Sequence, residues 1–333
     1  MPFAFSAQET LALSADKKCT EDRRNNPVRG RNTQFRLLQM NMLAYTYPFV
    51  PGFAGSGVNS LPFSQLIARP TENARLEGNL LYGTDFVLTS NQIAKVEGDI
   101  FEEVEAAIHW NTAARWNRYM VTGIWEGSPR YPKPGTRPDP SKQIAVLSLP
   151  RRYDWVRLLE PSAKTVIANL RADLSTFDLS LPTSTPDIVI VTIPDDLRSD
   201  VKYQTELPDL SSSSQKILTD AHIAFEGRVE AEEFVLAIAL KKSLRSDRLY
   251  QPLYEANIMQ LLLEGRLGAP QVDFEVHTLE SAGTGAIETY SAASLSAVAT
   301  KHANPHRAVR ELYEPPDAVS VVRRFLTFLG ARI

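Results

Sequence analysis

The run Pro186-Asp187-Ile188-Val189-Ile190-Val191-Thr192-Ile193-Pro194 decides how the chain is read. Its β-branched residues follow one another without the polar alternation of a half-exposed strand, and a proline bounds each end. Asp187 to Ile193 is therefore expected to be a strand buried on both faces. A second apolar run, Phe234 to Leu240, ends at Lys241 and reads the same way. Two such strands imply a sheet covered on both sides, with an acid opening one central strand and an amine closing the other.

Working outward, Ala94 to Tyr119 places Val96, Ile100, Phe101, Val104 and Ile108 at helical spacing with no proline, which predicts a helix with Trp110 and Trp116 toward a core. Ser128 to Lys142 holds Pro129, Pro132, Pro134, Pro138 and Pro140 and must be irregular and extended. Gln143 to Leu149 alternates toward a strand, and Pro161 to Ala172 suits an amphipathic helix with its proline in the first turn. Leu249, Leu253, Ala256, Met259, Leu262 and Leu263 form a helical stripe; Pro252 must then lie near its first turn, and Gly265 is expected to end it. Strands and helices intermix, so the fold class is α/β with a central mixed β-sheet flanked by helices.

The 333 residues and 37.1 kDa leave room for a sizeable core. A content of 43% hydrophobic and 23% charged residues excludes a disordered or fibrous chain. A single cysteine, Cys19, makes no intramolecular disulfide, and no Cys/His spacing suits zinc, which points to the reducing cytoplasm. The chain opens without a secretory pattern, and its apolar runs fall short of the ~20 residues of a membrane span, so no membrane is expected. Gly283 and Gly285 belong to no phosphate-binding loop, so no nucleotide cofactor is expected either, and the five histidines are scattered. A net charge of -3 gives no global pull on nucleic acid; any contact must come from local clusters such as Lys17 to Arg36, which alone reads as a solvated surface.

If these elements hold, Asp187, Lys241 and Glu255 converge at one sheet edge. Buried charges there must pair with one another or with a metal ion. Phosphodiester hydrolysis needs such a set: carboxylates hold a divalent cation, and a lysine offsets developing negative charge. Hard oxygen ligands point to Mg²⁺, with Mn²⁺ as a substitute. Between the lysine and Glu255 lies Arg245-Ser246-Asp247-Arg248. Arginine donates two hydrogen bonds to O6 and N7 of guanine and aspartate accepts from N4 of cytosine, so the cluster suits G·C pairs. In isolation it reads as a helix cap by Asp247 with surface ion pairs of the arginines; beside Lys241 and Glu255, base reading prevails.

The set resembles the PD...(D/E)xK nuclease motif, except that Ala239 stands where the second carboxylate usually lies and Glu255 replaces it. That relocated acid is the pattern of the type II restriction endonucleases that recognise a CCGG core. The resemblance extends over Lys241 to Pro270, Asn26-Pro27-Val28-Arg29, Gly98-Asp99-Ile100-Phe101-Glu102, Leu181 to Asp187 and Glu311-Leu312-Tyr313. It implies a restriction-endonuclease-like single domain over residues 1–333, with a mainly helical part over 1–127 closing over DNA, the Pro-rich loop over 128–142 and the catalytic α/β core over 143–333. It implies metal binding by Asp187 and the Leu240 carbonyl, Lys241 acting at the attacking water, and Glu255 and Glu102 completing the acidic site. Arg245, Asp247 and Arg248 would read the core bases of double-stranded DNA, and Arg31 and Lys95 the outer ones. The implied target is CR/CCGGYG, cut by a prokaryotic homodimer that assembles further into tetramers or filaments. The alternatives are a processing nuclease of the same fold without a fixed site, and a non-catalytic DNA-binding assembly protein.

Overall fold

The computed structural model describes residues 62–64, 90–126, 132–208, 212–244, 249–280, 283–299 and 305–333. Its centre is a sheet ordered β1-β2-β3-β4-β5, formed by β1 (Ile144–Ser148), β2 (Ile188–Thr192), β3 (Phe234–Lys241), β4 (Asp273–Thr278) and β5 (Glu311–Tyr313). β2 runs antiparallel to β1 and β3, whereas β3, β4 and β5 are mutually parallel, so the sheet is mixed as expected. Ile188 to Val191 are all buried, and β3 stays buried from Phe234 to Leu240 before becoming half-exposed at Lys241. Both apolar runs are thus central strands covered on two faces.

Helix α1 (Ser90–Thr122) exceeds the expected span at both ends and packs against β1, β3 and the C-terminal helix α7 (Ala318–Arg332). Trp110 and Trp116 are buried on it, and each indole N–H reaches a backbone carbonyl: Trp110 that of Thr205, Trp116 that of Lys142. Asn117 closes the outer edge of the sheet. Its amide donates to the carbonyls of Ile144 and Tyr203, and its oxygen accepts the Ile144 N–H at 2.8 Å. The open hydrogen-bonding groups of Ile144, at the start of the edge strand, are thereby satisfied from a helix. The proline-rich stretch is irregular over residues 132–139, then turns once at Pro140–Lys142.

Pro161 opens α2 (Pro161–Ser175), as its position in the sequence predicts, and α3 (Ser212–Asp220) covers β1. β3 and β4 are joined through α4 (Tyr250–Gln260), whose first turn contains Pro252. The expected stop at Gly265 is not observed. The helix instead widens into a π turn over Leu261–Arg266, because Leu262 and Leu263 remain fully buried, and the left-handed residue that releases the chain is Gly268 at φ +75. α5 (Thr284–Tyr290) and α6 (Leu295–Ala299) lead on to β5.

Strand β4 shows a pattern that sequence reading passed over. Asp-Phe-Glu-Val-His-Thr alternates like a half-exposed strand, yet all six residues are buried. Its polar side meets a charged layer instead of water. Glu275 receives Arg310 at 2.9 Å and Arg324 at 2.8 Å, and His277 lies 3.2 Å from Glu275 and 3.4 Å from Glu105 on α1. The Glu105 contact lacks an aligned hydrogen bond, so it acts by charge.

Burial opposes charge on His277, but Glu105 and Glu275 outweigh it and raise the imidazolium to about 9. That contribution to stability is complete below the ordinary histidine value and is lost as pH rises through about 9. His109, buried beside Glu105, is shifted the other way by desolvation, so it weakens the fold as pH drops below its ordinary value. Thermal unfolding followed by circular dichroism is expected to peak near neutral pH and fall on either side. The part of the alkaline fall between the ordinary histidine value and about 9 should be absent in His277→Gln. Asn117→Ala, which strands three backbone groups, is expected to lower unfolding free energy by about 3 kcal/mol in denaturant titration.

Candidate active site

Antiparallel pairing of β2 with β3 brings the start of one strand beside the end of the other, with Ile188 opposite Ile238. Asp187 therefore reaches the end of β3. Its N–H donates to the Ile238 carbonyl and its carbonyl accepts from Leu149, both at 3.0 Å, so its backbone is fixed from two strands. Oδ2 accepts the Leu240 N–H at 2.6 Å and the Lys241 ammonium at 3.1 Å. The Asp187 and Lys241 side chains keep only 23% and 13% of their exposure, which removes the pair from the weak regime of surface ion pairs.

Glu255 comes to the same place from α4 and is 2% exposed. Ser184 and Gln251 both donate to its Oε1, at 2.6 and 2.8 Å, while Oε2 is buried without a hydrogen-bond partner. Burial raises its carboxyl above the usual value, against the opposing pull of Lys241, Ser184 and Gln251. Glu102, half-buried on α1, adds a third acid. Burial works against the charge of Lys241, but Asp187, Glu255 and Glu102 outweigh it and hold the ammonium above its ordinary value. The structure thus brings together Asp187, Leu240, Lys241, Glu255 and Glu102.

Other sequence candidates lie elsewhere. Arg31, Arg245, Asp247 and Arg248 fall outside the described residues, as does the side chain of Lys95. Lys242 is ion-paired to Glu97 and ties the end of β3 to α1. Ser184 and Gln251 were missed by sequence reading, since a serine in Thr-Ser-Thr and an exposed helical glutamine carry no signal of their own. The buried Glu105, His109, Glu275 and His277 belong to the layer behind the site.

Among the described residues no set of three or more His, Cys, Asp or Glu is arranged to hold a metal ion. The donors at the site nevertheless suit a small hard cation: all are oxygens, and the buried Oε2 of Glu255 lacks a partner. Mg²⁺ needs one or two carboxylates, completing its shell from water and substrate phosphate. No helix among the described residues is long and apolar enough to cross a membrane.

The family model for Cfr10I/Bse634I restriction endonucleases matches residues 50–331. Among curated proteins none matches. A crystal structure of the type IIF restriction endonuclease Bse634I with cognate DNA superposes with a TM-score of 0.68 at 17% identity, covering 89% of this chain and 91% of that one. A second Bse634I structure gives a TM-score of 0.66 at 17% identity, with 86% and 91% covered. At such identity the structural likeness shows the fold, which is that of a restriction endonuclease.

Proposed function

This chain belongs to the Cfr10I/Bse634I restriction endonuclease family, and we propose that within it the chain is a Mg²⁺-dependent enzyme resembling SgrAI that cuts CR/CCGGYG and leaves four-base 5′ overhangs. Membership makes it a type II site-specific deoxyribonuclease, and restriction endonucleases of this kind generally use divalent metal ions. The observation that carries the reading is the meeting of Asp187, Lys241 and Glu255 at one end of the sheet.

In this reading Asp187 and the Leu240 carbonyl hold the cation, with Glu255 and Glu102 completing the acidic surroundings. A bound Mg²⁺ would lower the pKa of water and offset phosphate charge. The chain's own residues do the rest. Lys241, kept as an ammonium, cannot take a proton; it orients the attacking water and opposes the negative charge that grows on the phosphoryl oxygens. Water attacks the phosphorus in line as the P–O3′ bond breaks; the attacking water gives up a proton to solvent and O3′ takes one from it, so the products are a 5′-phosphate and a 3′-hydroxyl. The Leu240 N–H on Asp187 prevents that carboxylate from turning away.

Arg245, Asp247 and Arg248 are assigned to the G·C pairs of the core and Arg31 and Lys95 to the outer bases. A palindromic target requires a two-fold homodimer with one site per strand, and DNA-bound dimers assembling into tetramers or filaments complete the proposal. The cell compartment is the prokaryotic cytoplasm.

Plasmid digested with Mg²⁺ is expected to give discrete fragments whose ends, read by run-off sequencing, define the target; smears or intact plasmid contradict the reading. Asp187→Ala and Lys241→Ala should each slow cutting at least about a thousandfold while metal-free DNA binding in a mobility shift persists. Parallel loss of binding and cutting would oppose these roles. Arg248→Ala is expected to weaken binding to the target by about 1 to 3 kcal/mol and leave binding to scrambled DNA nearly unchanged.

A further inference from the structure

The segment before Asp187 is irregular backbone, yet its residues are held one by one. The Pro182 carbonyl accepts the Tyr254 hydroxyl at 3.0 Å. Thr183 donates to Asp154 at 2.7 Å and accepts from Arg171 at 2.9 Å, and Thr185 donates to the Tyr153 carbonyl. Ser184, between the two threonines, is the residue turned to the site: its hydroxyl meets Glu255 Oε1 at 2.6 Å. Gln251, one helical turn before Glu255, places a second donor on that same oxygen at 2.8 Å. Oε2 is buried and has no hydrogen-bond partner among the described residues.

We propose that Ser184 and Gln251 are positioning residues that saturate Oε1 of Glu255 and so reserve its Oε2 as the oxygen that faces the cutting reaction. The assignment rests on the nuclease reading above, in which Glu255 serves the site. A buried carboxylate without those donors would rotate toward Lys241, whose charge acts on it, and close into an ion pair. Ser184 prevents this from a backbone that also carries Asp187. One short run of chain therefore sets the relative placement of both carboxylates, and the Tyr254–Pro182 and Glu255–Ser184 contacts form two adjacent rungs between that run and α4.

The full-length chain, a DNA fragment containing the target, and Mg²⁺ provide the test. Single-turnover cutting is measured alongside metal-free DNA affinity and the melting temperature. Ser184→Ala is expected to cut about tenfold or more slower, with affinity close to wild type and a melting temperature lowered by no more than a few degrees. Ser184→Thr, which keeps a hydroxyl, should recover most of the rate. Gln251 is exposed, so Gln251→Met leaves the fold intact and is expected to slow cutting severalfold. Wild-type rates in Ser184→Ala and Gln251→Met overturn the assignment. So do equal losses in Ser184→Ala and Ser184→Thr that follow a common drop in melting temperature. If Ser184→Ala fails to fold, Gln251→Met decides alone. A wild-type chain that leaves the DNA uncut sinks the nuclease reading itself, whereas a cutting wild type with unaffected variants sinks only this refinement.

Discussion

The lysine that closes β3 can be mostly buried because an aspartate opens β2. A lone ammonium withdrawn from water at the end of a central strand would shed its proton or expel the strand end, and the 3.1 Å contact with Asp187 removes both outcomes. The pairing depends on strand direction. Had β2 and β3 been parallel, the residue before Ile188 would lie at the opposite end of the sheet from Lys241. Burial on both faces puts the two apolar runs at the centre of the sheet, and their antiparallel pairing, with Ile188 opposite Ile238, then sets the distance between the charged groups at their ends.

α1 connects the site to the layer behind it. Glu102 and Glu105 are three residues apart and share a face of the helix. The first contributes to the charge held on Lys241, and the second reaches His277 on β4, the residue paired with Leu240 in the parallel register. Anchoring of the helix by its buried acid and delivery of the neighbouring acid to the site are therefore one arrangement. Glu275, with Arg310 and Arg324 around it, carries the same charged layer through to α7, and its carboxyl is held down at about 2 despite burial. Each buried charge in the layer has a counter-charge on a different element, so the network specifies how α1, β4 and α7 meet.

These arrangements differ in how far the sequence discloses them. β2, β3 and the first turn of α2 were legible because apolar runs and prolines act locally. Asp187, Lys241 and Glu255 were legible because their order along the chain resembles a nuclease motif. β4 was not, because Asp273, Glu275 and His277 mimic a solvated face and their partners, Glu105, Arg310, Arg324 and Arg332, lie far away along the chain. Gly265 misled for a related reason: a glycine is a stop signal only where the chain needs a positive φ, and burial of Leu262 and Leu263 moved that need to Gly268. Ser184 had no distinguishing mark at all, since only the folded loop tells it from Thr183 and Thr185.

The charge balance of the site points to what it must recruit. Three carboxyl groups, those of Asp187, Glu255 and Glu102, surround one ammonium, and burial already works against ionisation of Glu255. A phosphodiester entering such a space would add negative charge to an acidic pocket in a chain whose net charge is -3. Lys241 offsets only part of that charge, since it already donates to Asp187. A bound cation would make phosphate entry favourable, and the oxygen donors present, together with Oε2 of Glu255, which has no hydrogen-bond partner among the described residues, suit a hard divalent one. An acidic site is in that sense the complement of a substrate that arrives with its own counterions.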